Sequence, residues 1–211
     1  MVLGAGPGLG AAVAARFAAA GYAVGLVARS PARLDELADT LRADGARVRT
    51  ATADLTDVTA LEEAVRHLAA EAGGIDVLHF NPSAFRATDL LALTAAELLE
   101  DVALGAAALL TAVQAARPWL RPGSRVVATG SAAADHPSPK APSLGVQKAA
   151  LRNLVLSLDA TLAPEGVRAV VLQVNGVLGR GAFVHERVAR AVHEAVLRDD
   201  ASWTAQVSYD G

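Results

Sequence analysis

Short β-branched runs alternate along this chain with longer alanine- and leucine-rich segments in which polar positions recur at helical spacing. That alternation is the pattern of βαβ units wound around a parallel sheet. The strand candidates are Val2 to Leu3, Tyr22 to Ala28, Arg47 to Ala51, Ile75 to Phe80, Arg125 to Thr129, Val167 to Val174 and Trp203 to Val207. Two residues are too few for an ordinary strand, so the first candidate predicts a start that lacks a few residues of its strand. Between the strands the helix punctuation is specific. Ser30 precedes Pro31, an N-cap followed by proline at the first helical position, and Thr94 with Glu97 forms a T-x-x-E capping box ahead of an apolar run. Gly21, Gly45 and the Gly73-Gly74 pair stand where helices should end. Leu104 to Leu120 and Leu144 to Leu162 are apolar on more than one face. Such helices fit between a sheet and a second subunit, which predicts a homodimer or homotetramer built through these two segments. The expected fold is α/β, a doubly wound, mostly parallel seven-stranded sheet with helices on both faces, formed by residues 1–211 as one domain without internal repeats.

Composition narrows the function classes. A chain of 211 residues that is 53% hydrophobic and 19% charged buries one substantial core and leaves no room for a separate substrate domain. Nineteen basic against 22 acidic residues give a net charge of -3, with no block of like charge. An electrostatic case for nucleic acid or an anionic membrane is therefore lacking, and a small-molecule ligand is expected. The absence of cysteine excludes a disulfide framework, a thiol nucleophile and a thiolate zinc site. His185 and His193 are eight apart, and His67 and His79 lie in different elements, so these histidines read as ordinary helix or strand residues and no metal is expected. Asp76 and Asp159 have no paired acid. With no basic-then-apolar leader and no long uncharged apolar run, a cytoplasmic protein is expected.

The candidate chemistry begins at the first strand's end. GAGPGLG, containing Gly4, Gly8, Leu9 and Gly10, opens the helical segment Leu9 to Ala20. Glycines at such a turn let backbone amides approach a pyrophosphate at the positive end of the following helix, and strand, helix and next strand are all in place for dinucleotide binding. The second strand ends in Ala28-Arg29-Ser30, without the carboxylate that holds unphosphorylated ribose hydroxyls. Arg29 can pair with a 2′-phosphate and Ser30 can add a donor, so NADP(H) is favoured over NAD(H).

These features, continued along the chain, resemble the short-chain dehydrogenase/reductase family, whose fold is Rossmann-like. Its GxxxGxG pattern is matched by Gly4, Gly8 and Gly10, and its Asp-Leu after the third strand by Asp54 and Leu55, where the aspartate meets the adenine. Its Asn-Asn-Ala-Gly segment is similar to Phe80-Asn81-Pro82-Ser83, which keeps Asn81. The catalytic serine corresponds to Ser131, and the lysine of the family's Tyr-x-x-x-Lys to Lys148 in Leu144-Gly145-Val146-Gln147-Lys148. The resemblance implies that Lys148 donates to the nicotinamide ribose and that Ser131 polarises a carbonyl. The Pro-Gly turn corresponds to Asn175-Gly176, followed by Val177 on the cofactor side, and TAQVSYDG is similar to the last strand.

Two positions depart from the family pattern. Leu144 stands for the tyrosine, and Gly105 aligns with the helix asparagine that supports the proton relay. Loss of a positioned general acid costs roughly 10²- to 10⁴-fold in rate. Replacement acids are sought in the intervening loop, at His136, Lys140 or Ser143. The link Val177 to Val184, pliable at Gly179 and Gly181, leaves space for only a small lid. The leading expectation is an NADP(H)-dependent oxidoreductase acting on a small carbonyl or alcohol with a degenerate proton-donor site. A non-redox isomerase, dehydratase or cyclase, and a catalytically silent binding or assembly subunit, are the alternatives on the same fold.

Overall fold

The computed structural model describes residues Met1–Gly211. Seven strands, β1 (Val2–Leu3), β2 (Val24–Ala28), β3 (Val48–Thr52), β4 (Val77–Phe80), β5 (Arg125–Ser131), β6 (Arg168–Val174) and β7 (Gln206–Tyr209), form one sheet in the order β3-β2-β1-β4-β5-β6-β7. Every neighbouring pair is parallel, in line with the mostly parallel sheet expected from the sequence. The strand order reverses between β1 and β4, and the crevice above their carboxyl ends is where a doubly wound sheet binds its ligand.

Helices α1 (Leu9–Ala19), α2 (Pro31–Ala43) and α7 (His185–Val196) cover one face, where Val13, Leu34 and Val188 enter a common core with Leu26 and Val170. The other face carries α3 (Val58–Ala72), α4 (Ala95–Val102), α5 (Ala108–Ala116) and α6 (Pro142–Leu162), whose Leu61, Leu109 and Leu151 pack on Leu3, Leu78 and Val126. Both faces of the central strands are thus buried, which explains why β4 is fully buried rather than alternating. None of these helices is long and apolar enough to cross a membrane.

Local chemistry sets the boundaries. The Thr94 hydroxyl accepts from the Glu97 amide while the Glu97 carboxylate accepts from the Thr94 amide, the reciprocal box that starts α4. Gly73 closes α3 in the left-handed region at φ 74°. Ser30 occupies the N-cap of α2, but its hydroxyl caps nothing. The segment expected as one helix from Leu104 instead begins at α4, passes through a π-helical turn at Ala103–Ala107 and continues as α5. The last strand is shifted toward the C-terminus because Trp203 is held outside it. Guanidinium groups of Arg125, Arg168 and Arg198 lie 5.0, 5.2 and 4.6 Å from its ring centre, and its indole donates to the Ala169 carbonyl at 3.3 Å. At the amino-terminal ends of the strands, opposite the glycine-rich turn, a groove of about 840 Å³ is lined by Phe17, Tyr22, Arg49, Leu68 and Glu71 among others.

Candidate functional site at the carboxyl ends of the strands

The glycine-rich turn is shaped by close approach. Gly4, at φ 82°, donates to the Val27 carbonyl at 2.9 Å and so ties the end of β1 to β2. A β-carbon on Gly10 would overlap the Gly4 carbonyl oxygen and lie 3.0 Å from Ala5 Cα, so only glycine lets α1 begin this near the strand. Gly6 has open space on its side-chain face, and Gly8 is the N-cap of α1. The first amides of a helix have no intrahelical partner, and Gly6 and Gly8 put no side chain of their own over them. This arrangement fits a diphosphate. Leu9 is buried in the core, so it can serve such a ligand only through its amide. Leu55 is likewise buried in the opposite core, whereas Asp54 beside it is exposed.

The rim beyond β2 carries the exposed Arg29 and the uncapped hydroxyl of Ser30. Asp54 accepts from the Thr56 amide at 2.9 Å and from its hydroxyl at 2.7 Å. Those two bonds hold its carboxyl below the usual carboxylate range, with a smaller contribution from the positive charge of Arg29. Two opposite charges therefore share this rim, and the carboxylate among them is already engaged by its own turn.

Under the crevice runs a buried polar chain. His79 Nε2 lies 2.9 Å from Thr129 Oγ1, Thr129 donates to Asn81 Oδ1 at 3.0 Å, and Asn81 Nδ2 donates to the Gly4 carbonyl at 3.3 Å. Because the threonine proton goes to Asn81, the His79 proton sits on Nε2, which leaves Nδ1 bare and without a partner. Burial, assisted by nearby positive charge, lowers the His79 pKa to about 3, so the ring stays neutral. Lys148 reaches the same place from α6. Its Nζ donates to the Thr129 carbonyl at 2.8 Å and the Pro82 carbonyl at 3.3 Å, and burial lowers its pKa to about 8. One of its three donors remains for another acceptor.

Ser131 ends β5, and its hydroxyl accepts from the Ala133 amide at 3.2 Å while its residue stays half-buried. Leu144 stands in the first turn of α6, one turn before Lys148 and partly exposed. Of the loop candidates for a replacement acid, His136 and Lys140 are exposed, and Ser143 is fully buried with an unpartnered hydroxyl. Gly105 lies in the π-helical turn, directly against Gln147, a residue that no sequence motif marks. Gln147 is fully buried. Its Oε1 accepts from the Ala84 amide at 3.0 Å and its Nε2 donates to the Ala84 carbonyl at 3.0 Å. The amide thereby clamps the segment after β4 and fills the space beside Gly105. Arg86, farther along that segment, forks onto the buried Asp101 with both bonds at 3.1 Å and also reaches Glu97. Burial works to raise the Asp101 carboxyl, but Arg86 prevails and holds it below the usual range.

Beyond β6 the link is less pliable than its glycines suggest. The Phe183 ring lies on Gly176 where a β-carbon would be, Tyr209 meets Phe183 edge to face at 5.6 Å, and the Tyr209 hydroxyl donates to the Ala182 carbonyl at 2.8 Å. Val177 projects outward and is 64% exposed.

Comparison with known proteins fits this geometry. The family model described as short chain dehydrogenase matches residues 1–182. The chain is 31% identical to an oxidoreductase of Sarocladium schorii over 176 residues, which cover 82% of this chain and 69% of that protein. It is 30% identical to a short chain dehydrogenase of Pseudocercospora fijiensis over 182 residues, 84% of this chain but only 59% of the relative. A short chain dehydrogenase from Burkholderia cenocepacia, crystallised in complex with NADP, superposes with a TM-score of 0.88 at 29% identity over 100% of this chain and 95% of the other. By the extent of the family match and the shared sheet, the chain belongs to the short-chain dehydrogenase/reductase family.

Proposed function

We propose that this protein is an NADP(H)-dependent oxidoreductase acting on a small carbonyl or alcohol, with an atypical proton-donor site. The observation that carries the cofactor half is the glycine cradle at the head of α1 together with a β2 end that offers Arg29 and the free Ser30 hydroxyl but no carboxylate. The NADP of the Burkholderia relative supports the same choice. When bound, the cofactor supplies the hydride. In this reading the amides opening α1 hold its diphosphate, Arg29 meets the 2′-phosphate, Asp54 lies toward the adenine, and Asn81 and Val177 border the nicotinamide end. Lys148 gives its remaining N–H to the ribose, and Ser131 orients the substrate oxygen. The proton comes from water or from the substrate, since Leu144 offers none. The exposed Leu110 on α5 and Leu156 on α6 support association into a homodimer or homotetramer through these helices.

Titration of NADPH and NADH against the wild type and Arg29→Ala tests the cofactor assignment. NADPH is expected to bind more tightly to the wild type, and Arg29→Ala to lose roughly 1.5 to 3 kcal/mol for NADPH alone. Equal affinities throughout would sink the assignment. A second, non-redox reading is favoured by one observation: Gln147 packs against Gly105, where the family's relay asparagine belongs. Stereospecific transfer of deuterium from labelled NADPH to a product separates the two.

A further inference from the structure

The loop after β6 brings one side chain onto the glycine-rich turn that the cofactor reading above leaves unused. His185 is the first residue of α7, far from Gly8 in sequence, yet its imidazole lies edge-on to that glycine. A β-carbon on Gly8 would stand 3.3 Å from His185 Nε2 and 3.4 Å from Cε1, and one on Gly179 would stand 3.6 and 3.7 Å from the same two atoms. A single ring edge thus faces two residues that have no side chain, one at the N-cap of α1 and one in the loop. The ring is half-buried, and while His79 and His193 bond to Thr129 and Arg16, His185 makes no hydrogen bond within the protein. Its position is nevertheless fixed from behind. The Gly179 amide donates to the Phe183 carbonyl at 2.9 Å, and the Phe183–Tyr209 contact secures the segment that delivers the helix.

The geometry points to His185 as a phosphate-contacting residue of the nucleotide site, donating from Nε2 to the diphosphate seated on the amides that open α1. This rests on the dinucleotide reading of the glycine cradle. Gly8 has no side chain, so an anion approaching the Leu9 and Gly10 amides passes over its α-carbon and enters the space beside Nε2. Both a neutral ring with its proton on Nε2 and an imidazolium donate from that atom. The contact also differs in kind from that of Arg29. The diphosphate is common to NADP(H) and NAD(H), whereas the 2′-phosphate is not.

Equilibrium titrations of NADPH, NADH and adenosine 2′-monophosphate, which has no diphosphate, against the wild type, His185→Ala, His185→Gln and Arg29→Ala form the test. His185→Ala is expected to weaken NADPH and NADH alike by roughly tenfold and to leave adenosine 2′-monophosphate unchanged. His185→Gln, whose amide still donates, keeps part of that affinity. Arg29→Ala weakens NADPH and adenosine 2′-monophosphate but not NADH. Unchanged or tighter binding of both dinucleotides to His185→Ala overturns the contact. So does a loss that extends to adenosine 2′-monophosphate, which would assign the ring a structural role. A wild type that binds neither dinucleotide refutes the underlying cofactor reading, and does so before any variant is compared.

Discussion

Adding one methyl group at Gly105 tests whether the space beside the relay position is truly closed. Glycine inside a helix is ordinarily a weakness, and replacing it by alanine gains roughly 0.5 to 1 kcal/mol. Here the sign reverses. The added β-carbon would overlap Gln147 Oε1 and come within 2.7 Å of its Cδ and 3.0 Å of its Cβ. Gln147 cannot retreat cheaply, because it is fully buried and both ends of its amide are bonded to Ala84 at 3.0 Å. Overpacking of this kind costs roughly 1 to 3 kcal/mol, and displacing the amide exposes the Ala84 groups to a further penalty of about 1 to 3 kcal/mol. After subtracting the helix gain, Gly105→Ala should destabilise by about 3 kcal/mol. In a Gln147→Ala background the obstacle is gone, and the same substitution should become neutral or stabilising. A coupling energy of roughly 3 kcal/mol is therefore expected from the double-mutant cycle. Urea unfolding of the four proteins, followed by fluorescence of Trp119 and Trp203, gives the four free energies. If Gly105→Ala costs the same with and without Gln147, the two positions are independent and the closure argument fails.

Leu144→Tyr places a phenol one helical turn from Lys148 on the same face of α6. NADPH-dependent reduction of simple ketones should rise by less than the 10²- to 10⁴-fold that a general acid is worth, with Leu144→Phe as the size control; no gain in a folded, cofactor-binding variant would favour the non-redox or silent readings. Lys148→Met tests the buried ammonium. Burial lowers the folded-state pKa to about 8, so between there and the unfolded value near 10.4 the unfolded chain binds more protons and wild-type stability rises with pH. The stability of Lys148→Met relative to wild type should accordingly be greatest near pH 7 and shrink as pH rises from 8 toward 10; a difference that does not vary with pH would refute the burial of a charged Lys148.

The fold was legible because its signals are local. The capping box at Thr94 and the helix-ending glycines depend on a few neighbouring residues, and the βαβ alternation only on hydrophobic period. Strand ends moved by a few residues where tertiary contacts intervened, as at Trp203, whose three arginines come from elsewhere in the chain. The glycine turn and Lys148 were legible as motifs. Gln147 and His185 were not, since their significance lies in which glycine each one faces across 42 and 177 residues of sequence, and no local pattern encodes that pairing. Leu9 and Leu55 illustrate the reverse: the motif marks both positions, but burial restricts what either side chain can touch.

The chain from His79 through Thr129 and Asn81 to Gly4 has a consequence for alignment of the sheet. Parallel strands buried on both faces can slide past one another by two residues and still bury an apolar set, so hydrophobicity alone distinguishes such states poorly. β1, with only two residues, has a short ladder on each side to set its register. A slide of β1, β4 or β5 would separate bonds of 2.9, 3.0 and 3.3 Å that cross all three strands, stranding polar groups in the interior at about 1 to 3 kcal/mol each. The polar chain thereby acts as a detent: it fixes the height of the glycine-rich turn relative to Ser131 and Lys148, and so the spacing between the place where a dinucleotide is gripped and the place where its substrate would lie.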